Sequence, residues 1–225
     1  MIPNLDPIFA QYELLRNETD SLFKRVADVY PQYVSCKEGC TDCCNALFDL
    51  SLVEAMYIHN AFENTFGYGP ERSAILQRAS ELDRQLTRLK RDLFRAEKDG
   101  ESPTVIMERA AQLKIRCPLL SKEDTCLLYF ARPITCRVYG VPTSIAGEGH
   151  VCGFSGFEKG CGYPTVNMDK IQDRLFELSR KLAEAVHSRF TELPTVYVPL
   201  SMALLNQYDE TYLGIGVEKK EDDWR

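Results

Sequence analysis

The sequence predicts a mainly α-helical protein, a small helical bundle carrying an irregular, cysteine-rich metal-binding lobe with room for one short β-hairpin. Three observations predict it. Several long stretches repeat apolar residues at steps of three and four. The 48 residues from Arg116 to Tyr163 lose that period and fill with Gly and Pro. Five of the nine cysteines fall in that same span. At 225 residues the chain suits a single domain, read here as 1–216 with cysteine-rich elements 36–44 and 117–161, followed by a polar tail, 217–225.

The first helix opens at Asp6 with Pro7 at its first turn, where the missing N–H costs nothing. Ile8, Phe9, Tyr12, Leu15, Leu22, Val26 and Val29 make its apolar stripe, and Pro31 stops it. A second helix is expected from Ser51 towards Phe62, with Ser51 and Glu54 as a capping box. The third, Pro70 to about Lys98, is the most regular: Ile75, Ala79, Leu82, Leu86, Leu89 and Leu93 alternate steps of four and three. A shorter helix is expected behind Ser102, from Pro103 to near Leu113. Another long one opens at Asn167, with Met168, Ile171, Leu175, Leu178, Leu182 and Val186 on one face. Its seam matches that of the third helix, so these two are expected to pack side by side. All these stripes are read as core. Within the irregular span, Leu119–Leu120 and Leu127–Tyr129, turned by Ser121–Thr125, are the expected strand pair. So long a span without a core of its own needs another source of order, and metal crosslinks would supply it.

Composition narrows the function. A net charge of −6 argues against a nucleic-acid partner, which calls for a positive surface. No apolar run reaches the roughly 18 residues that would span a bilayer, and MIPNLDPIFA lacks the features of a signal peptide. The expected compartment is therefore cytoplasmic, where thiols stay reduced. Nine cysteines there point to metal or catalysis rather than disulfides.

The first cluster reads Cys36-Lys-Glu-Gly-Cys40-Thr-Asp-Cys43-Cys44. Four thiolates so close repel one another unless a multivalent cation compensates them, and Gly39 lets the loop curl around such an ion. Neighbouring residues point different ways, so Cys43 and Cys44 need not serve the same ion. The second group is Cys117-Pro118, Cys126 and Cys136, spaced by eight and nine residues. A proline beside a cysteine rigidifies a ligand loop and removes an N–H. Arg132 and Arg137 flank these thiols and are the candidate cofactor-binding cations; Arg116 is a weaker one. Cys152 and Cys161 form a third, looser group in a Gly-rich segment.

This order of residues resembles the YkgJ-like cysteine-cluster family, described as a zinc- or iron-chelating CxxCxxCC domain. The match is carried by Cys36, Cys40, Cys43 and Cys44, then Cys117-Pro118, Cys126 with Tyr129, and the Arg132-Pro133 to Cys136-Arg137 element, over residues 33–165. The resemblance implies a metal-binding domain. A related module in flagellin lysine methylases implies cluster-linked methyl transfer as one chemistry.

Zinc sites usually take two short-spaced ligand pairs, and Cys40–Cys43 is the one CxxC in the chain. An iron–sulfur cluster accepts three close ligands and one remote, so Cys36, Cys40 and Cys43 with one of Cys117, Cys126 or Cys136 would suit a [4Fe–4S] cluster. Iron–sulfur is favoured over zinc, and eight or nine thiols are enough for two metal centres. The spacing of Cys36, Cys40 and Cys43 also matches a radical S-adenosylmethionine motif. That family usually has an aromatic residue where Asp42 stands, and it uses a β/α barrel, which this helical pattern contradicts. His150 is a weak ligand candidate, His59 reads as a satisfied half-buried histidine and His187 as surface. No phosphate loop, nucleophile elbow or HExxH is present. Three functions remain: redox or group transfer at a cluster with an unidentified protein or redox partner, a zinc-stabilised interaction module, and metal storage or delivery.

Overall fold

A computed structural model describes residues 2–102, 105–106 and 113–216. The fold is mainly helical with a little β structure, as the periodicity requires. Helix α1 (Asp6–Val29) runs as predicted, burying Ile8, Tyr12, Leu15, Thr19 and Val26. Strand β1 (Asp49–Ser51) leads directly into α2 (Leu52–Thr65), which passes Phe62 by three residues. α2 is the central helix, its first seven residues all buried. α3 (Pro70–Lys98) buries Ile75, Ala79, Leu82 and Leu86, whereas Leu89 and Leu93 are only partly covered, so its outer turns leave the body of the molecule. The expected helix behind Ser102 falls largely outside the described residues, as does the tail 217–225.

Within the span expected to be irregular lie α4 (Ile134–Val138), β2 (Thr143–Ile145) and β3 (Glu148–His150), and past it come β4 (Val166–Asn167), α5 (Met168–Ala185), β5 (Tyr197–Pro199) and α6 (Leu200–Leu205). α5 opens at Asn167 as predicted, the Asn167 side chain accepting the Lys170 N–H at 2.9 Å. β1 pairs antiparallel with β5, and β2 lies between antiparallel β3 and parallel β4.

Three expectations are corrected. Ser51 does not cap α2 through its side chain; its hydroxyl instead donates to the Glu54 carboxyl at 3.1 Å. That carboxyl is turned into the core, where it also accepts from the backbone N–H of Ile134 at 3.0 Å. The strand pair at 119–129 reduces to one bridge, Leu120 with Cys126, while the hairpin that does form is β2–β3, its turn taken by Ala146 and Gly147 at positive φ. Lastly, α5 packs on α1 and α2, and α3 lies chiefly against α6. Matching seams do not choose a partner when several apolar faces compete, and the short, apolar α6 carried no strong period to mark it.

The core is continuous through these helices, with Tyr12, Leu15, Ile58, Phe62, Ile75 and Leu182 all at 1% exposure or less. Burying a side chain such as Phe62 contributes roughly 1.5–3 kcal/mol. Among the described residues no helix is long and apolar enough to cross a membrane.

Candidate metal centre

The cysteine lobe is assembled on this scaffold by a few backbone contacts. After α1 the chain turns at Gly39, whose φ of +83° only glycine adopts without strain, and the Cys40 N–H closes the turn on the Lys37 carbonyl at 3.0 Å. A single 3-10 turn, Asp42–Asn45, then presents Cys43 and Cys44, with the Cys44 N–H bonded to the Thr41 carbonyl at 2.9 Å. The second group arrives alongside it. The Cys117 N–H donates to the Cys44 carbonyl at 2.7 Å, and the Ile115 N–H to the Asn45 carbonyl at 3.1 Å. From α3, Arg78 Nε holds the Pro118 carbonyl at 3.0 Å. Cys126 follows in the bridge with Leu120.

Cys136 comes from α4, whose first N–H is the one bonded by Glu54. Fully buried, that carboxyl is raised above the ordinary Glu range chiefly by loss of water, against its bonds from Ile134 and Ser51. Gly140 lies directly under Cys36: a Cβ there would sit 2.0 Å from the Cys36 sulfur, so the close approach requires glycine. Cys152 enters on the Gly-rich loop, which is fastened to the end of α1 by the Gly156 N–H on the Tyr33 carbonyl at 2.8 Å and by a group of packed rings, Tyr30, Tyr33, Phe157 and Tyr163.

The result is one cavity of about 560 Å³ whose wall includes every cysteine except Cys161. Eight thiols from distant positions thus line the same space, with apolar residues such as Phe48, Leu82 and Leu86 on the remainder. Cys161 is exposed, its sulfur 3.9 Å from the Glu158 carboxylate. Among the described residues, no three or more Cys, His, Asp or Glu side chains form a group that could hold a metal ion. Eight sulfurs line this space, with those of Cys44 and Cys136 against Cys43.

Electrostatics at the wall are those of crowded thiols. The Cys136 and Cys44 thiols both donate to Cys43 and hold it below the usual thiol range, while the same contacts push Cys44 and Cys136 up. Burial pushes Cys36 up to about 11, with repulsion from Cys40, Cys152 and Cys43 behind it, and Cys117 up to about 12. Cys126 and Cys152 are raised by burial as well. A cavity of this kind resists further negative charge, and a multivalent cation is what would discharge its thiols. The donor chemistry therefore fits a thiolate-bound metal.

The arginines part company. Arg132 is on the cavity wall, its guanidinium carbon 4.2 Å above the Tyr129 ring, and its charge favours thiolate at Cys43 and Cys36. Its Nε is buried and makes no hydrogen bond. Arg137 also touches the wall, but its donors are committed to Asp20 at 2.7 Å and to the Arg132 and Phe130 carbonyls, which clamps α4 to α1. Arg116 holds the Ser121 carbonyl and Asp124, steadying the 121–125 turn. His150 is exposed in β3 and His187 at the end of α5, and neither is on the cavity wall. His59 Nδ1 lies 3.2 Å from the Ala203 carbonyl, the satisfied histidine expected.

Sequence reasoning missed Asp42 as part of the site. Its carboxylate is 7% exposed, pairs with Lys114 at 2.5 Å, and accepts from the Cys152 thiol at 3.4 Å and from Tyr139. The signal was its place between Cys40 and Cys43, where a buried charge needs partners. No protein-family model, curated protein or solved structure matches the chain.

Proposed function

We propose that this protein binds an iron–sulfur cluster of the [4Fe–4S] type in the thiol-lined cavity and uses it in redox or cluster-assisted group-transfer chemistry. The observation that carries the reading is the gathering of eight thiols, from positions as far apart as Cys36 and Cys152, around one space. Eight reduced cysteines on one wall are more than packing of small side chains calls for, and a shared metal accounts for them. The resemblance to the zinc- or iron-chelating CxxCxxCC family supports a bound metal.

Iron–sulfur is preferred to zinc because eight thiols line a cavity of about 560 Å³, more space than a single ion fills. A tetrahedral zinc with Zn–S bonds of about 2.3 Å needs its sulfurs about 3.8 Å apart. No such group of three or more stands ready among the described residues, whereas a cluster, itself several atoms across, is held by thiolates set farther apart. Four of Cys43, Cys44, Cys117, Cys126 and Cys136 would hold it, and Arg132 would offset their charge. When bound, a cluster would supply a one-electron carrier or, at an open iron, a Lewis-acidic position. The second reading, a zinc-stabilised interaction module, is favoured by one feature: from Lys114 to Cys126 only Pro118, Leu119 and Leu120 are buried.

Anaerobic purification with measurement of visible absorption, iron, sulfide and zinc separates these. A brown protein with matched iron and sulfide is the expected result. Stoichiometric zinc without sulfide in a colourless protein would overturn the cluster reading and leave the structural one.

A further inference from the structure

We infer that the thiol-lined cavity takes a small carboxylic acid with an apolar body, its carboxylate held by Arg132 and its body by the side of the wall built from α3 and α6. This rests on the reading that the chemistry takes place in this cavity, and it adds the class of molecule that enters. Two independent features of the wall carry it, one apolar and one charged.

The apolar part comes from side chains that are buried without joining the core. Leu82 and Leu86 of α3 are 8% and 4% exposed, yet neither belongs to the continuous core that takes in Ile75 and Ala79 of the same helix. The space they face is the cavity, which they line with Phe48 and, from the start of α6, Leu200. Such a wall suits an apolar body, which gains dispersion contacts and leaves water on entering. A volume of about 560 Å³ is that of a small-molecule site. Such sites run to roughly 300–1,000 Å³ and are mostly apolar with a few polar groups that fix orientation.

The charged part is Arg132. Other ionic groups on the wall have partners: Asp42 pairs with Lys114, Asp124 with Arg116 and Arg137 with Asp20. Lys37 and Glu38, of opposite sign, stand exposed at the turn after α1. Arg132 has only the Tyr129 ring against its guanidinium; among the described residues it donates no hydrogen bond and meets no carboxylate. The ring steadies the guanidinium plane, and the planar fork matches a carboxylate through two parallel N–H···O bonds. Offsetting thiolate charge needs proximity alone, so that role leaves these donors available. A guanidinium also suits phosphate. The same wall carries the thiols and the Asp42 carboxylate, which repel a dianion more strongly than a monoanion, so carboxylate is the better match.

The test is titration calorimetry on the full-length, reduced protein as purified, in a buffer free of carboxylates. The probes are octanoate, acetate, 1-octanol and octyl phosphate. Octanoate should bind one per chain, roughly tenfold or more tighter than each of the other three. Arg132→Gln should weaken octanoate roughly 10–100-fold and bring it level with 1-octanol. Arg132→Lys keeps the charge without the fork and should recover only part of that loss. Far-UV circular dichroism checks the variants, and the comparison of probes on the wild type needs no variant. Equal affinity for octanoate and 1-octanol, equal affinity for octanoate and acetate, tighter binding of octyl phosphate, or an Arg132→Gln chain that binds octanoate like the wild type overturns the assignment. Metal analysis of the same sample separates the two readings. A brown protein with matched iron and sulfide that ignores octanoate overturns the substrate class alone. One that binds octanoate through Arg132 but carries zinc, or no metal, keeps the carboxylate site and overturns the cluster.

Discussion

From Leu52 to Ile58 every side chain of α2 is buried, whereas from Lys114 to Cys126 only Pro118, Leu119 and Leu120 are. The first region is closed by apolar contact on all sides, with Phe62 and Ile58 at 1% exposure or less. The second follows a handful of backbone hydrogen bonds and aims its cysteines at a cavity. Hydrophobic burial is non-directional and orders the scaffold cooperatively. From Lys114 to Cys126 little apolar area is buried in that way, and the chain rejoins the core only at Leu128, Ala131, Ile134, Val138 and Val141. On the metal reading, what the thiols hold supplies the rest of the order there, and that difference can be tested region by region.

The largest effect should come from removing metal. Stripping the purified protein with a chelator under reducing conditions is expected to leave α1, α2 and α5 protected in hydrogen exchange. The amides of 115–128 and 151–157 should lose protection by roughly tenfold or more, because local stability there falls independently of the core. Equal protection in both regions before and after stripping would show that the lobe stands without metal and would break the comparison.

A smaller effect is expected where the two regions are tied together. Glu54 belongs to α2, yet its carboxyl bonds the first N–H of α4, the helix that carries Cys136. Glu54→Ala leaves that buried N–H and the Ser51 hydroxyl without their partner, which should cost about 1–3 kcal/mol. Metal content should fall as well, since Cys136 loses its support. Glu54→Gln keeps an acceptor of the same shape and should restore most of both. Thermal melts with metal analysis on the two variants decide it: equal defects in Ala and Gln would mean that the carboxyl's charge, not its bond to Ile134, is what matters.

Legibility in the sequence followed the same division. The long helices were readable because a stripe such as Ile75, Ala79, Leu82 and Leu86 encodes both an element and its buried face. Which faces meet was not readable: α3 went to α6 rather than α5, since apolar stripes are interchangeable at the level of sequence. In the lobe, the cysteines led to the expectation of a metal site, and the structure brings all but Cys161 to one wall. The supports of that wall left no comparable trace. Glu54 read as part of a capping box because its spacing from Ser51 fits one, and only the fold shows the carboxyl serving α4 as well. Asp42 looked like a misplaced residue in a cysteine motif until Lys114, Tyr139 and Cys152 were found around it.

Cys161 gives the smallest and sharpest test of the boundary between lobe and surface. By sequence it is one more thiol in a Gly-rich segment, no different in kind from Cys152. In the fold it lies outside the cavity wall, exposed beside Glu158, with Tyr163 and Phe157 packed between its loop and the end of α1. Cys161→Ser exchanges one exposed polar atom for another, so stability should change by no more than about 0.5 kcal/mol. Metal per chain should stay at the wild-type value, whereas Cys152→Ser should lower it. If Cys161→Ser removes metal as Cys152→Ser does, the loop must close further over the cavity than this arrangement has it, and the site would gain a ninth thiol.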